Sequence, residues 1–503
     1  MSDKNILEQL RQAGGMRGSW CSKEAPDDKC DGILQLAHEA YMTLTVERHA
    51  TEAEWMKIPD APSTKVIRSV VGRLDEGTPC SLEALVLISY SYGSAAEKLW
   101  LVYSVQQACF GAEVDDLSCL GVRSLWVEIP ALMDWTHVPG CSASRLGSTF
   151  SITAIDRQEI PIAESSDMKV SIGVSTGSSE SAIFSKVPRV TATSGIVIVL
   201  TEQVPLQTVK KWVPLILDFF SLATLSAISV SSFACESDSV QWMLSTGDGE
   251  KPVLAPITVW YPRSRQNVPH DGMVDQQMFF TFADMRECNR SDVLLTLLAR
   301  SDEFGTLLSL LVPEAGSFYS YSTRRFLDAV QSLESVDRIA GHNAVLPDNE
   351  FEALKCDMLE AVQASTRQWI QDTFHLQYAN EPNLRSRIKN VVQEHGQLLQ
   401  ATPDSQKGFI NSVVRTRNYL VHLDTEAREQ AVLDDRLVDL TDKVEALARI
   451  SFLRVIGFSE EDLGKLFRHN ERSYIRHVTD IFRKSDDVIK DNALAEEDDT
   501  SSN

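Results

Sequence analysis

The chain has 503 residues, 43% hydrophobic and 24% charged, enough for two to four domains with ordinary buried cores. Collagen, low-complexity sequence and a wholly disordered chain are excluded. The formal net charge of −23 excludes a protein that coats nucleic acid or an anionic membrane with its whole surface. That charge is uneven: residues 1–315 carry a net −14, 316–490 a net −4 and 491–503 a net −5.

From the N-terminus, Met1 to Gly15 holds no long apolar run, so no secretory signal is expected. The nine cysteines are odd in number and form no C-x-x-C, which argues against a zinc site or a disulfide framework and for a reducing cytoplasm. Leu44–Val46, Ala84–Ser89, Leu99–Tyr103, Leu125–Ile129, Phe150–Ala154, Val170–Val174 and Gly195–Leu200 are β-branched or alternating runs between Gly, Pro, Ser and Asp clusters, and predict strands. Val213 to Cys235 is long enough to span a membrane, but it carries Pro214, Asp218 and five serines. It is read as a helix over 206–222 followed by a strand over 228–233, with no membrane contact. A further helix is expected over 292–311. The fold class is therefore α+β and multidomain, with a mostly β region over 1–315.

After Tyr321 the apolar residues take helical spacing. Phe326, Val330 and Leu333 share one helix face, and further helices are predicted over 350–374, 383–400, 406–420 and 436–455. Gly457 ends the last of these, and Ser459 to Asp462 reads as a capping box. Basic helical segments continue to Lys484, so 316–490 is an all-α domain. The tail 491–503 is acidic, lacks an apolar face and is expected to be disordered.

Two basic windows stand out in this helical part. Residues 383–422 hold Arg385, Arg387, Lys389, Lys407, Arg415 and Arg417, and residues 465–484 hold Lys465, Arg468, Arg472, Arg476, Arg483 and Lys484. They point to a local anion site in an otherwise acidic chain. Phosphate-binding loops, dinucleotide fingerprints, H-E-x-x-H and G-x-S-x-G are all absent. No cofactor and no metal ligand set is expected.

What remains is Arg417-Asn-Tyr-Leu-Val-His422. RNA can be cleaved without a metal when its own 2′-hydroxyl attacks the adjacent phosphorus. That chemistry needs a proton carrier near neutral pKa, which suits His, and a fixed cation for the phosphate, which suits the guanidinium fork. Three histidines have an arginine at a compatible spacing: His270 with Arg263 and Arg265, His422 with Arg415 and Arg417, and His477 with Arg472. His270 lies in a Pro- and Asn-rich loop and His477 in basic helices that read as a solvated face. His422 follows a helix with Phe409, Val413 and Leu420 on its apolar side. Five residues along an unbroken helix turn the side chains about 140° apart, so Arg417 and His422 converge only if the helix ends near Val421. The alternative is that Arg417 pairs with a carboxylate and His422 caps the helix end.

These residues, together with the helical region, resemble the HEPN ribonuclease domains, whose signature is R-x(4–6)-H with a polar residue after the arginine. Over roughly 15–480 the chain resembles the ApeA family of anti-phage, abortive-infection HEPN proteins. In the front half the resemblance rests on Gly18-Ser-Trp20, Asp31-Gly-Ile-Leu34, Val71-Gly-Arg-Leu-Asp-Glu-Gly77 with Ser81-Leu82, Leu125 to Trp135 and Phe219-Phe-Ser-Leu-Ala223. In the helical half it rests on Phe326 to Glu334, Leu384-Arg-Ser-Arg-Ile388, Arg417 to His422 and Leu453 to Phe458. One departure is Val421, where a polar residue would be expected.

The resemblance implies a metal-independent endoribonuclease of bacterial phage defence. It also implies a homodimer or larger homo-oligomer whose Arg–His pairs face one RNA strand. Its catalytic residues carry over to Arg417 and His422, with Asn418 orienting one of them. Arg415, Tyr419, Arg385, Arg387, Lys389, Arg468, Arg472 and Arg476 are then the expected RNA contacts. The RNA is expected to be cellular, with tRNA favoured. The region 1–315 would sense infection, through a phage-encoded trigger, or restrain the helical domain. A non-catalytic RNA- or nucleotide-binding HEPN module with an N-terminal interaction platform is the alternative. A metal nuclease is a third reading, separable by its sensitivity to EDTA.

Overall fold

The computed structural model describes residues 6–482 apart from 12–13, 24, 38–40, 50–65, 93–97, 115, 130, 147–148, 155–157, 179–189, 247–248, 263–272, 313–322, 374–375, 396–397, 399–402, 424–427 and 470. The acidic tail and His270 with its arginines lie outside the described residues. Two compact units form, one from Met1–Leu217 with Ala227–Gly272 and one from Asp218–Ser226 with Met273–Asn503. The first is β-rich and the second helical, as the fold class requires.

Among the described residues the β unit holds thirteen antiparallel strands in one sheet. They are β1 (Met16–Ser22), β2 (Ala25–Ala37), β3 (Tyr41–His49), β4 (Val66–Leu74), β5 (Pro79–Tyr92), β6 (Lys98–Val105), β7 (Gln107–Phe110), β8 (Gly121–Glu128), β11 (Gln158–Glu164), β12 (Met168–Ser178), β13 (Val190–Pro205), β14 (Ser232–Thr246) and β15 (Gly249–Trp260). Strands β9 (Cys141–Leu146) and β10 (Thr149–Ala154) form a separate hairpin. The order is β11-β12-β13-β8-β14-β15-β7-β5-β4-β1-β2-β3-β6, and an added β5–β6 pairing closes six strands into a barrel.

The closure is built into β5. Its residues Cys80–Glu83 pair with β7, and Val86–Tyr92 pair with β6. Between them Ala84 sits at φ 52, and the β5–β6 register shifts between Leu87 and Ser89. A left-handed alanine costs about 1–2 kcal/mol, and a bulge bends and twists the strand. Together they turn one strand from the open sheet into the barrel wall.

Inside the barrel, alternate residues such as Leu34, Leu36, Leu44, Val46, Leu101 and Tyr103 are buried around Trp20. Helix α1 (Ile6–Arg11) adds Leu7 and Leu10 to this core. Glycines at 32 and 72 let neighbouring strands approach the Trp20 ring, and a Cβ at Gly72 would collide with it.

A short helix α2 (Leu132–Thr136) follows β8, and α3 (Leu206–Thr224) follows β13. Helix α3 matches the helix expected over 206–222, and the strand expected over 228–233 starts only at Ser232. Among the described residues no helix is long and apolar enough to cross a membrane.

The helical unit contains α4 (Phe282–Glu287), α5 (Val293–Ala299), α6 (Ser301–Leu311), α7 (Thr323–Ile339), α8 (Asp348–Glu360), α9 (Ala364–Thr373), α10 (Leu384–His395), α11 (Pro403–His422), α12 (Asp435–Val455) and α13 (Glu460–Leu466), then a last helix over 473–482. Helices α4–α6 belong to this unit, whose long continuous part starts at Met273. Their apolar faces fill its core, as where Phe304 stands edge-on to Phe452 at 5.8 Å.

The helix expected over 292–311 is two, broken at Arg300, and the one over 350–374 is also two. Helix α7 lies along α12, joined by Arg325, which donates to Glu445 and Asp442 at 2.7 Å each. Helices α10 and α11 pack on both. The Ser459–Asp462 capping box is present.

Candidate functional site

Pro403 opens α11, a position where its missing N–H is no loss. Val413 and Thr416 are buried on its inner side. The Thr416 hydroxyl accepts the backbone N–H of Val432 at 2.9 Å and so pins the chain returning past the helix end. The helix closes at His422, two residues beyond the 406–420 range expected for it. Leu423 then takes φ 53 while its N–H reaches the Tyr419 carbonyl at 2.8 Å. Glycine usually fills such a left-handed exit. Here it is a leucine, 73% exposed, and backbone strain of this kind clusters at functional sites.

At this end Arg417 Nη1 lies 3.4 Å from His422 Nε2. The two start about 140° apart on the helix, but the long arginine spans the last turn and His422 has no further turn above it. A guanidinium only donates, so a hydrogen bond between the two takes Nε2 as its acceptor. His422 is exposed, and Arg417, Asn418 and Tyr419 are half-buried beside it.

Of the cations expected to contact RNA, Arg385, Lys389, Arg415, Arg468 and Arg476 are exposed. Arg385 donates to Asn411 at 2.6 Å, which ties α10 to α11, and Arg476 donates to the Glu471 carbonyl at 3.2 Å. Two of the expected RNA contacts are interior instead. Arg387 is 4% exposed, pairs with Asp337 at 3.0 Å and donates to the His342 carbonyl at 2.9 Å. Arg472 pairs with Asp284 at 2.6 Å and donates to the Phe279 carbonyl at 3.0 Å. Each neutralises a buried carboxylate, which an unpaired fold would pay for heavily.

His477, the third histidine with an arginine at motif spacing, faces Asp442 at 2.9 Å. Sequence reasoning passed over Thr416 and Asn411. The only signal for either was a polar side chain amid helical apolar spacing.

Among the described residues no group of three or more His, Cys, Asp or Glu is placed to hold a metal ion. A cavity of about 300 Å³ between α7, α10 and α12 is lined by Arg300, Asp337, His342, Glu394, Ser451 and Arg454. Its arginines are already engaged, Arg300 with Glu303 at 2.6 Å and Arg454 with the Phe458 carbonyl at 2.8 Å.

A family model described as ApeA N-terminal domain 1 matches residues 15–288, and one described as Apea-like HEPN matches residues 327–462. No curated protein and no solved structure matches the chain.

Proposed function

The chain belongs to the ApeA family of anti-phage HEPN nucleases, and from that premise we propose that it cuts cellular RNA without a metal ion, Arg417 and His422 being the reacting pair. The observation that carries this reading is the 3.4 Å approach of the guanidinium to the imidazole Nε2 at an exposed helix end.

When a phosphate enters, the guanidinium turns to its non-bridging oxygens, a charge-assisted contact that strengthens as negative charge develops. Nε2 is thereby released to take the proton of the 2′-hydroxyl. The 2′ oxygen bonds to phosphorus, and the bond from phosphorus to the 5′ oxygen breaks. The departing oxygen takes a proton from the imidazolium of a second copy's His422. The products are a 2′,3′-cyclic phosphate and a 5′-hydroxyl.

Asn418 orients one member of the pair. Arg385, Lys389, Arg415, Arg468 and Arg476 line the RNA path, with Tyr419 at its margin. A homodimer brings two such sites to one strand, tRNA is the favoured substrate, and the protein acts in the cytoplasm. In the β unit, Trp242, Leu244 and Val253 are exposed on one face of the β14–β15 hairpin. A patch of that kind suits a protein contact, and it is where a phage-encoded trigger would bind.

The test is cleavage of total tRNA in EDTA by the wild type and by His422→Ala. The wild type is expected to yield fragments ending in cyclic phosphate, and the variant to be slower by about 10²–10⁴-fold with RNA binding retained. Equal cleavage by the variant sinks the assignment. Binding without cleavage by the wild type, also in infected-cell lysate, would favour the non-catalytic module.

A further inference from the structure

We propose that the two-helix arm α8–α9 docks onto the basic face of α10 and α11 in a second copy of this chain. No described residue from 341 to 379 is buried, although Phe351, Leu354 and Met358 recur along α8 at spacings of three and four. That spacing makes an apolar stripe, and Leu354 and Met358 are 57% and 44% exposed. Helices of 13 and 10 residues do not persist in water on propensity alone; packing of an apolar face normally sustains them. The arm therefore calls for a cover.

The charge identifies what covers it. Residues 348–373 carry a net −4, which repels RNA and suits an apolar surface with a basic border. The same chain supplies one. Arg385 and Lys389 on α10, and Lys407 and Arg415 on α11, are exposed. The Arg385–Asn411 bond joins the two helices into one face. Val421 and Leu423 add exposed apolar surface at its end.

The lengths agree as well. Helix α8 is about 20 Å long, and Lys407 to Leu423 spans about 24 Å. Because each copy carries both halves, a two-fold dimer forms the contact twice. In consequence the arms cover the RNA path of the resting dimer, so RNA must displace them. That consequence rests on the nuclease reading, and the docking does not.

The mass of the full chain in solution tests the docking, with no need for catalysis. The wild type is expected to be a dimer in light scattering and sedimentation. Leu354→Gln with Met358→Gln should weaken it. Asp357→Lys with Glu360→Lys, or Lys389→Glu with Arg415→Glu, should each raise the dimer Kd about tenfold. All four charge reversals together should restore it, which also controls for folding. A monomeric wild type, which would give the arm another partner, overturns the proposal. So does a dimer indifferent to the arm substitutions, or a failure of the fourfold reversal to restore it.

Discussion

Arg387 and Lys389 stand two positions apart on α10 and meet opposite fates. The first is interior and holds Asp337, and the second faces water. Arg387→Ala would leave a buried carboxylate with His342 as its remaining side-chain partner, at 2.8 Å. It should cost about 3 kcal/mol of stability, read as a shifted denaturant midpoint. Lys389→Ala should leave the midpoint within about 0.5 kcal/mol and instead weaken RNA binding and flatten its salt dependence.

His395, 3% exposed at the end of α10, behaves differently again. Desolvation chiefly, with Arg454 adding to it and Glu394 opposing, pushes its pKa from 6.5 down to about 4. Above pH 6.5 the imidazole is neutral in the folded and unfolded chain alike, and stability is unaffected. As the pH falls from 6.5 to 4 only the unfolded chain binds the proton. Stability then drops by up to about 3 kcal/mol. His395→Leu should remove that slope from the stability–pH curve, and an unchanged slope would clear His395 of the role.

At the level of elements, the helices were legible where the sequence repeats at helical spacing. Helices α7, α10, α11 and α12 stand close to the ranges expected for them. The break at Arg300 was not legible, because its guanidinium folds onto the Phe304 ring at 4.6 Å and onto Glu303 without any Gly or Pro to mark a stop. The barrel was invisible as a barrel. Its closure depends on one alanine at positive φ and on pairings across distant residues, and β2 begins in the charged Pro26-Asp-Asp-Lys29.

The Gly18-Ser-Trp20, Asp31-Gly and Val71-Gly motifs were visible, and their reason is packing. They meet side by side, with Trp20 paired to Gly72 and Gly18 to Gly32. Gly72→Ala should therefore destabilise the β unit by about 1–3 kcal/mol through overpacking, measured by urea denaturation. For the site, the Arg417–His422 pair was nameable from its spacing. The burial of Arg387 and Arg472 was not, since the partners that hide them lie 50 and 188 residues away.

For the whole molecule, the nine cysteines sort by burial. Cys119, Cys141 and Cys356 are exposed and the other six buried. Burial pushes the Cys80 and Cys109 thiols well up, Cys235 up to about 12 and Cys288 up to about 11. Alkylation of the native chain at pH 8 is expected to add three groups, and alkylation after unfolding nine, counted by intact mass. More than three in the native state would show that a core opens on the labelling timescale.

The long sheet also has a terminus. Among the described residues β11 pairs only with β12. Pro161 in that strand has no N–H to offer, the register slips between Pro161 and Ala163, and Glu159 and Glu164 flank the slip. An exposed strand rim is a template for end-to-end polymerisation, and proline, irregular pairing and carboxylates are what spoil such templates. With its other end sealed into a closed ring, a sheet this long is expected to resist end-to-end stacking of copies.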